Sequence, residues 1–327
     1  MKIAFLTEMG FTGKINEDFP NMRTEFAWMH ALDADHFNIR SFESLKDYDH
    51  VFIIFPKGEV YLNSIGVKLV NKTNTVSDIL RSQLVNKIKL KNKKVHFVQE
   101  GPHWLWNDYE VYDQIYYYNL IQECDSIFAH NESDVLYYKG LFPNKKIHTI
   151  RTLMIEKNIS SINSIKEDAC IIGGNFARWY GGFESYMVAG NFSTPIYAQD
   201  SHAKRSAEEM MDGLNHMPRM EWLDWMKNLS KFKYAVHLMP TVAAGTFALN
   251  CAYFGIPCIG NNKVDTQLLC HPSLSVDVED IKTARELAIR LRDDKQFYDE
   301  CSEIAKNNYN TFYSQEVWTK RIMNYLA

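Results

Sequence analysis

The chain reads as an α/β protein made of two doubly wound halves, and three observations predict this. Apolar runs of strand length alternate with helical periodicity through residues 2–150. A second alternation opens near residue 168, where the short run Ala169-Cys170-Ile171-Ile172 enters Gly173-Gly174 and a second pair, Gly181-Gly182, heads a helical segment. Between them, residues 151–167 carry Asn158, Asn163 and serines among isolated isoleucines, the composition of a linker. The expected division is 1–155, 165–310, and a C-terminal helix, 311–327, that crosses back to the first domain. A chain of 327 residues fits two domains of common size better than one.

Composition narrows the classes. Apolar residues at 46% and charged residues at 23% exclude disordered, collagen-like and coiled-coil chains. The net charge of -4 supplies no global positive field, so contact with nucleic acid would need a local basic patch. The six cysteines lie far apart without a C-x-x-C pair and read as reduced core residues. Residues 3–6 are too short an apolar run for a signal peptide, and no stretch reaches membrane-spanning length. A cytoplasmic, monomeric protein with no membrane contact is expected.

Residues 2–6 form the first strand, followed by a loop with Glu8, Gly10 and Gly13 and a helix over 22–32. Gly10 and Gly13 do not complete a dinucleotide fingerprint, so NAD is not expected. Loops at the carboxyl ends of parallel strands line the crevice of such sheets, which turns residues 8–18 toward a ligand. Residues 37–40 and 51–55 are the next strands. The pairs Asp33/Asp35 and Asp47/Asp49 stand before strands rather than after them, the wrong end for a metal-bound ligand, and read as solvated loops. Residues 64–91 have helical periodicity and run into Lys87, Lys89, Lys91, Lys93 and Lys94; these lysines complement a helix end more simply than they meet a phosphate backbone.

Residues 95–98 are a fourth strand, and the segment after it is informative: Gln99-Glu100-Gly101-Pro102-His103-Trp104-Leu105-Trp106. A carboxylate at a strand's carboxyl end beside glycine, proline and two tryptophans makes Glu100 a candidate general base, with His103 the other titratable group at hand. Trp104 and Trp106 either pack or meet the acceptor. Alternating segments at 109–124, 126–129, 131–139 and 146–150 complete a parallel sheet of five or six strands with helices on both faces.

In the second half, Gly173, Gly174 and Asn175 form a bare turn between strand and helix, with Arg178 just beyond. Freed backbone N–H groups, a helix dipole and a guanidinium make a site for phosphate oxygens. Residues 194–198 and 234–238 are strands and 221–229 a helix. Thr241, Gly245 and Thr246 lead into a helix that ends at Gly255-Ile256-Pro257, and they suit a ribose or a second phosphate. Helical periodicity runs from 278 to the end.

Two such halves, the glycine turn and the late G-x-P together resemble the GT-B nucleotide-sugar glycosyltransferases, over the whole chain. Within that class the sequence is similar to bacteriophage DNA β-glucosyltransferases. These similarly begin M-K-I-A, carry D-Y-D before a central strand, and have a G-G-S-F turn followed by arginine. Here the residues are Met1-Lys2-Ile3-Ala4, Asp47-Tyr48-Asp49, and Gly173-Gly174-Asn175-Phe176 with Arg178.

The resemblance implies two Rossmann-like domains facing across a cleft, an N-terminal one for the acceptor and a C-terminal one for a UDP-sugar donor. It implies inverting transfer to the hydroxymethyl group of a modified pyrimidine, hydroxymethylcytosine among them, in double-stranded phage DNA; the location would then be the host cytoplasm. Glu100 stands where that family has a catalytic aspartate, and Arg178 would neutralise the leaving diphosphate. A second arginine of that turn has no counterpart here, leaving its place to Lys204 or Arg205. Glu8, Gly10, His103, Trp104 and Trp106 fall to the acceptor, the aromatic groups stacking on or wedging an opened base step. Thr241, Gly245, Thr246 and Asn250 fall to the nucleoside or sugar. Val242 and Asn250 stand where many retaining members carry two glutamates, so the retaining signature is absent. No motif demands a divalent cation. Transfer to a cell-surface glycan or small molecule, and a non-catalytic protein that binds nucleotide sugars, stay open as alternatives.

Overall fold

The computed structural model describes residues 1–55, 82–174, 176, 179–199 and 206–327. The chain divides into two compact units: residues 1–19, 23–153 and 319–327 form the first, and 20–22 with 154–318 the second.

The first unit holds β1 (Ile3–Thr7), β2 (Gly13–Lys14), β3 (Asp35–Asn38), β4 (His50–Ile54), β5 (Lys94–Val98), β6 (Ser126–Ala129) and β7 (Lys146–Thr149) in one sheet. Their order is β2-β3-β1-β4-β5-β6-β7. Every pairing is parallel except that of the two-residue edge strand β2 with β3. β1 and β4 are buried at every position, as strands covered on both faces must be. The helices are α1 (Glu25–Ala31), α2 (Leu84–Lys89), α3 (Val111–Glu123) and α4 (Glu132–Leu141). Near the chain's end Tyr325 stacks on His148 with ring centroids 4.3 Å apart.

The second unit holds β8 (Glu167–Ile172), β9 (Ile196–Gln199), β10 (Leu214–Met217), β11 (Phe232–His237), β12 (Cys258–Asn261) and β13 (Ser275–Val276), all parallel, in the order β10-β9-β8-β11-β12-β13. Its helices include α5 (Gly182–Ala189), α6 (Trp222–Leu229), α7 (Thr246–Tyr253) and α8 (Asp265–Cys270). The helical run expected from 278 onward is three helices, α9 (Ile281–Asp293), α10 (Lys295–Tyr313) and α11 (Gln315–Leu326). All six cysteines are buried and unbridged.

Both sheets reverse direction once. Crossovers leave β1 toward β3 but β4 toward β5, and leave β8 toward β9 but β11 toward β12. An α/β sheet opens a crevice where its strand order reverses, outside the carboxyl ends of the two strands involved. In the first unit that end carries Glu8, directly after β1. In the second it carries Gly173, directly after β8.

Candidate active site

In the first unit the loop after β1 is fixed from below by a buried histidine. His36 is completely buried, and burial pushes its pKa down to about 4, so the ring is neutral. Its Nδ1–H donates to the Phe11 carbonyl at 2.9 Å, and its Nε2 accepts from the Thr7 hydroxyl at 2.8 Å. The Met9 N–H donates to that same hydroxyl, while the Asn38 amide donates to the carbonyls of Glu8 and Met9. Together these bonds shape the turn that carries Glu8.

The loop after β5 is more heavily built. Gln99 is buried and its side-chain amide donates to the Gly101 carbonyl, closing a tight turn through Gly101 at φ +68°. Trp106 stacks on Tyr117 at 5.7 Å and packs against the core, so it is a packing residue; Trp104 is half-buried. Glu100 and Glu8 come from different strand ends yet act on one group. Tyr109 is held above its ordinary pKa by burial first, then by the charges of Glu8, Asp113 and Glu100. The two carboxylates picked out in the sequence therefore share one corner of this unit.

His103 has a partner that sequence reading did not find. Its Nδ1 lies 2.8 Å from Oδ1 of Asp134, whose side chain has no exposed surface. Asp134 sits at the start of α4, where its other oxygen accepts from the N–H and the amide of Asn131 in a reciprocal cap. The signal was present as Asn131 and Asp134 three residues apart, but nothing local ties that cap to a residue thirty-one positions earlier.

Four of the five lysines of the basic tail are engaged. Lys87 pairs with Glu43 and Lys89 with Asp125, Lys91 donates to the Glu43 carbonyl, and Lys93 pairs with Asp49. These lysines gather at the amino end of β5, away from the crevice. Three of the four carboxylates in the Asp-x-Asp pairs are engaged too: Asp33 with Lys14, Asp35 with the Tyr48 hydroxyl, Asp49 with Lys93.

In the second unit the site is made chiefly of backbone. Gly181, at φ +62°, caps α5, and a Cβ there would lie 1.8 Å from the Leu238 carbonyl oxygen. Gly245, at φ +70°, caps α7, and a Cβ there would lie 1.9 Å from Oγ1 of Thr266. Only glycine fits either position, and a glycine cap leaves the first-turn N–H groups without a side-chain acceptor. Ser185 ties the start of α5 to the end of β11: its buried hydroxyl donates to the Gly181 carbonyl and accepts from the Leu238 N–H. Gly173 packs directly on the ring of His237, which also meets Phe247 of α7 edge-on. Two helix starts thus converge on the reversal point of the sheet, an arrangement suited to anionic oxygens.

His237 is the side chain that sequence reading missed here. Burial pushes its pKa down to about 4, and its Nε2 is buried without a hydrogen bond. Its place as the last residue of β11 was the available signal. Thr241, Gly245 and Thr246 are half-buried around the start of α7. Asn250 is not with them: it lies on the inward face of α7 at 1% exposure and offers a ligand no surface. Asn175, Arg178, Lys204 and Arg205 lie outside the described residues. No group of three or more metal-ligating side chains occurs among the described residues, and no helix among them is long and apolar enough to cross a membrane.

No family model and no curated protein matches the chain. Solved structures do. An α-glucosyltransferase in complex with UDP and a 13-mer DNA containing an HMU base aligns over 100% of this chain and 99% of its own, with a TM-score of 0.63 at 12% identity. The fold is that of the GT-B glycosyltransferases. The same GT-B frame is shared by a sucrose-phosphate synthase from Thermosynechococcus elongatus, at TM-score 0.63 and 10% identity over 99% of this chain and 98% of that one. It is shared also by S. aureus TarM, solved with UDP and α-GlcNAc-glycerol, at TM-score 0.61 and 12% identity over 88% of this chain. The chain spans 58% of the length of TarM and of the matching chain in a GtfA/B complex.

Proposed function

We propose that the protein is a glycosyltransferase that moves a sugar from a UDP-sugar to the hydroxymethyl group of a modified pyrimidine in DNA. The observation that carries this reading is the end-to-end match to an α-glucosyltransferase solved with UDP and HMU-containing DNA. The geometry of the second unit supports the donor half: two glycine-capped helix starts and Gly173-Gly174 offer backbone N–H groups to a diphosphate. In this reading Arg178, with Lys204 or Arg205, adds the positive charge the leaving group needs, and His237 adds a hydrogen-bonding side chain at the same turn. The acceptor falls to the first unit, where Glu8, Glu100, His103 and Trp104 line the strand ends.

Two observations favour other versions. The -4 net charge, the carboxylates at the acceptor corner and the engaged lysines favour a neutral glycan or small-molecule hydroxyl over a phosphate backbone. The neighbours solved with DNA are named α-glucosyltransferases, which favours retention over the inversion that a carboxylate base implies. One assay separates these readings. UDP release from a panel of UDP-sugars is followed with hydroxymethylated duplex DNA, unmodified DNA and simple glycan acceptors, and the product's anomer is read by NMR. Release stimulated only by hydroxymethylated DNA is expected; stimulation only by glycans moves the acceptor, and an unchanged anomer replaces inversion with retention. Absence of UDP release from every UDP-sugar leaves a non-catalytic GT-B protein that binds nucleotide sugars.

A further inference from the structure

We propose that His103, oriented by Asp134, takes the proton from the acceptor hydroxyl. This rests on the transferase reading above and assigns to an imidazole the step that sequence pattern placed on Glu100.

His103 stands on the loop leaving β5 and Asp134 at the first turn of the helix leaving β6, and these two strands are neighbours in the sheet. The pair therefore bridges two adjacent carboxyl ends on the edge of the sheet that carries the crevice, with β5 next to β4 at the reversal. Asp134 is fully buried while the His103 side chain keeps 27% of its surface exposed. With Nδ1–H donating to the carboxylate at 2.8 Å, the ring is held in the tautomer whose Nε2 carries the lone pair. The carboxylate is itself fixed by the N–H and amide of Asn131, and the imidazole lies over Tyr137 with centroids 4.2 Å apart. A base backed by an orienting acid and clamped on a ring is preorganised in a way that a loop pin between two surface groups is not.

The step balances without further reagents. The acceptor oxygen forms its bond to the anomeric carbon as its proton passes to Nε2. The bond from that carbon to the diphosphate oxygen breaks, and UDP leaves with the electron pair. The imidazolium then returns its proton to water, the His103 side chain being partly exposed. His103 is the catalytic residue in this account and Asp134 a positioning residue.

The test uses the full-length protein with its best donor and acceptor, and compares wild type with H103A, D134N, the double variant and E100Q, each checked for folding by thermal melting. H103A is expected to lose about 100- to 10,000-fold in kcat with the donor KM unchanged, and added imidazole should restore part of the rate. Because Asp134 acts through His103, the double variant should be no slower than H103A, whereas a purely structural Asp134 would add its own loss. D134N alone tests the same point without removing the ring. An H103A enzyme within about threefold of wild type, or losses that multiply in the double variant, overturns the dyad while the transferase reading stands. A wild-type protein that transfers no sugar overturns both.

Discussion

The loop after β5 and the turn after β8 each stand at the carboxyl end of a strand inside a largely parallel sheet, β8 at the point where strand order reverses and β5 one place beyond it, and they are built by opposite means. The first is made of side chains: Gln99 closes it, Trp106 anchors it on Tyr117, and Asp134 holds His103. The second is made by leaving side chains out, with Gly173 against His237 and Gly181 against the Leu238 carbonyl. A diphosphate is bound well by backbone N–H groups, which any nucleotide sugar can use, so under the proposed function the second unit, as donor side, needs close approach more than chemistry. An acceptor hydroxyl needs a proton taken from one atom, so under the same proposal the first unit, as acceptor side, needs oriented groups.

This contrast can be broken or sharpened by measurement. The largest effect is expected for Gly181→Ala, which drives a methyl into backbone and forces an L side chain to φ +62°. It should cost about 3 kcal/mol or more in unfolding free energy and abolish UDP binding by calorimetry; normal UDP affinity with normal stability would show that the turn is not backbone-built. A smaller effect concerns the support of the β1 loop. Burial holds the His36 pKa at about 4, so between that value and its ordinary value near 6.5 the unfolded chain binds more protons than the folded one. The stability it contributes is full above about pH 6.5 and is lost as the pH falls toward 4, roughly 1–2 kcal/mol by pH 5. Urea titrations at pH 7 and pH 5 on wild type and His36→Asn should show a flatter pH dependence in the variant, and parallel curves would contradict the buried neutral ring.

Asn131→Ala removes the cap that steadies Asp134 and should cost about 1 kcal/mol. It should slow transfer while leaving UDP affinity intact, since it touches only the first unit; a loss of UDP affinity would blur the division between the two regions. The smallest effect is expected at the basic tail. Lys91→Ala breaks one exposed bond to the Glu43 carbonyl and should change stability by less than about 0.5 kcal/mol. DNA affinity and its salt dependence should not move, and a reduced salt slope would return this strip to the acceptor surface.

The same contrast explains what the sequence made legible. Apolar strands such as β1 and β4 stand out because burial on both faces leaves a nearly unbroken apolar run. Glycines forced by close approach stand out as well, which is why the turn at Gly173 and the cap at Gly245 could be placed before their contacts were known. Short edge strands leave no such trace: β2 and β13 have two residues each and pass for loop. Side-chain partnerships across the sheet are hidden for a different reason. His103 and Asp134 meet only because β5 and β6 are neighbours, and strand order is a property of the crossovers rather than of either segment. Asn250 shows the converse error. The family resemblance places it on the nucleoside or sugar, whereas helical phase turns it into the core with Ala248, Leu249 and Cys251.

The most direct measurement of the central claim is mass spectrometry of nucleosides from hydroxymethylated duplex DNA incubated with the protein and a panel of UDP-sugars. The account predicts that the hydroxymethylated pyrimidine alone gains the mass of one sugar residue, with UDP formed in equal amount. UDP formation with other acceptors but no mass gain on any nucleoside, under every donor, would contradict it.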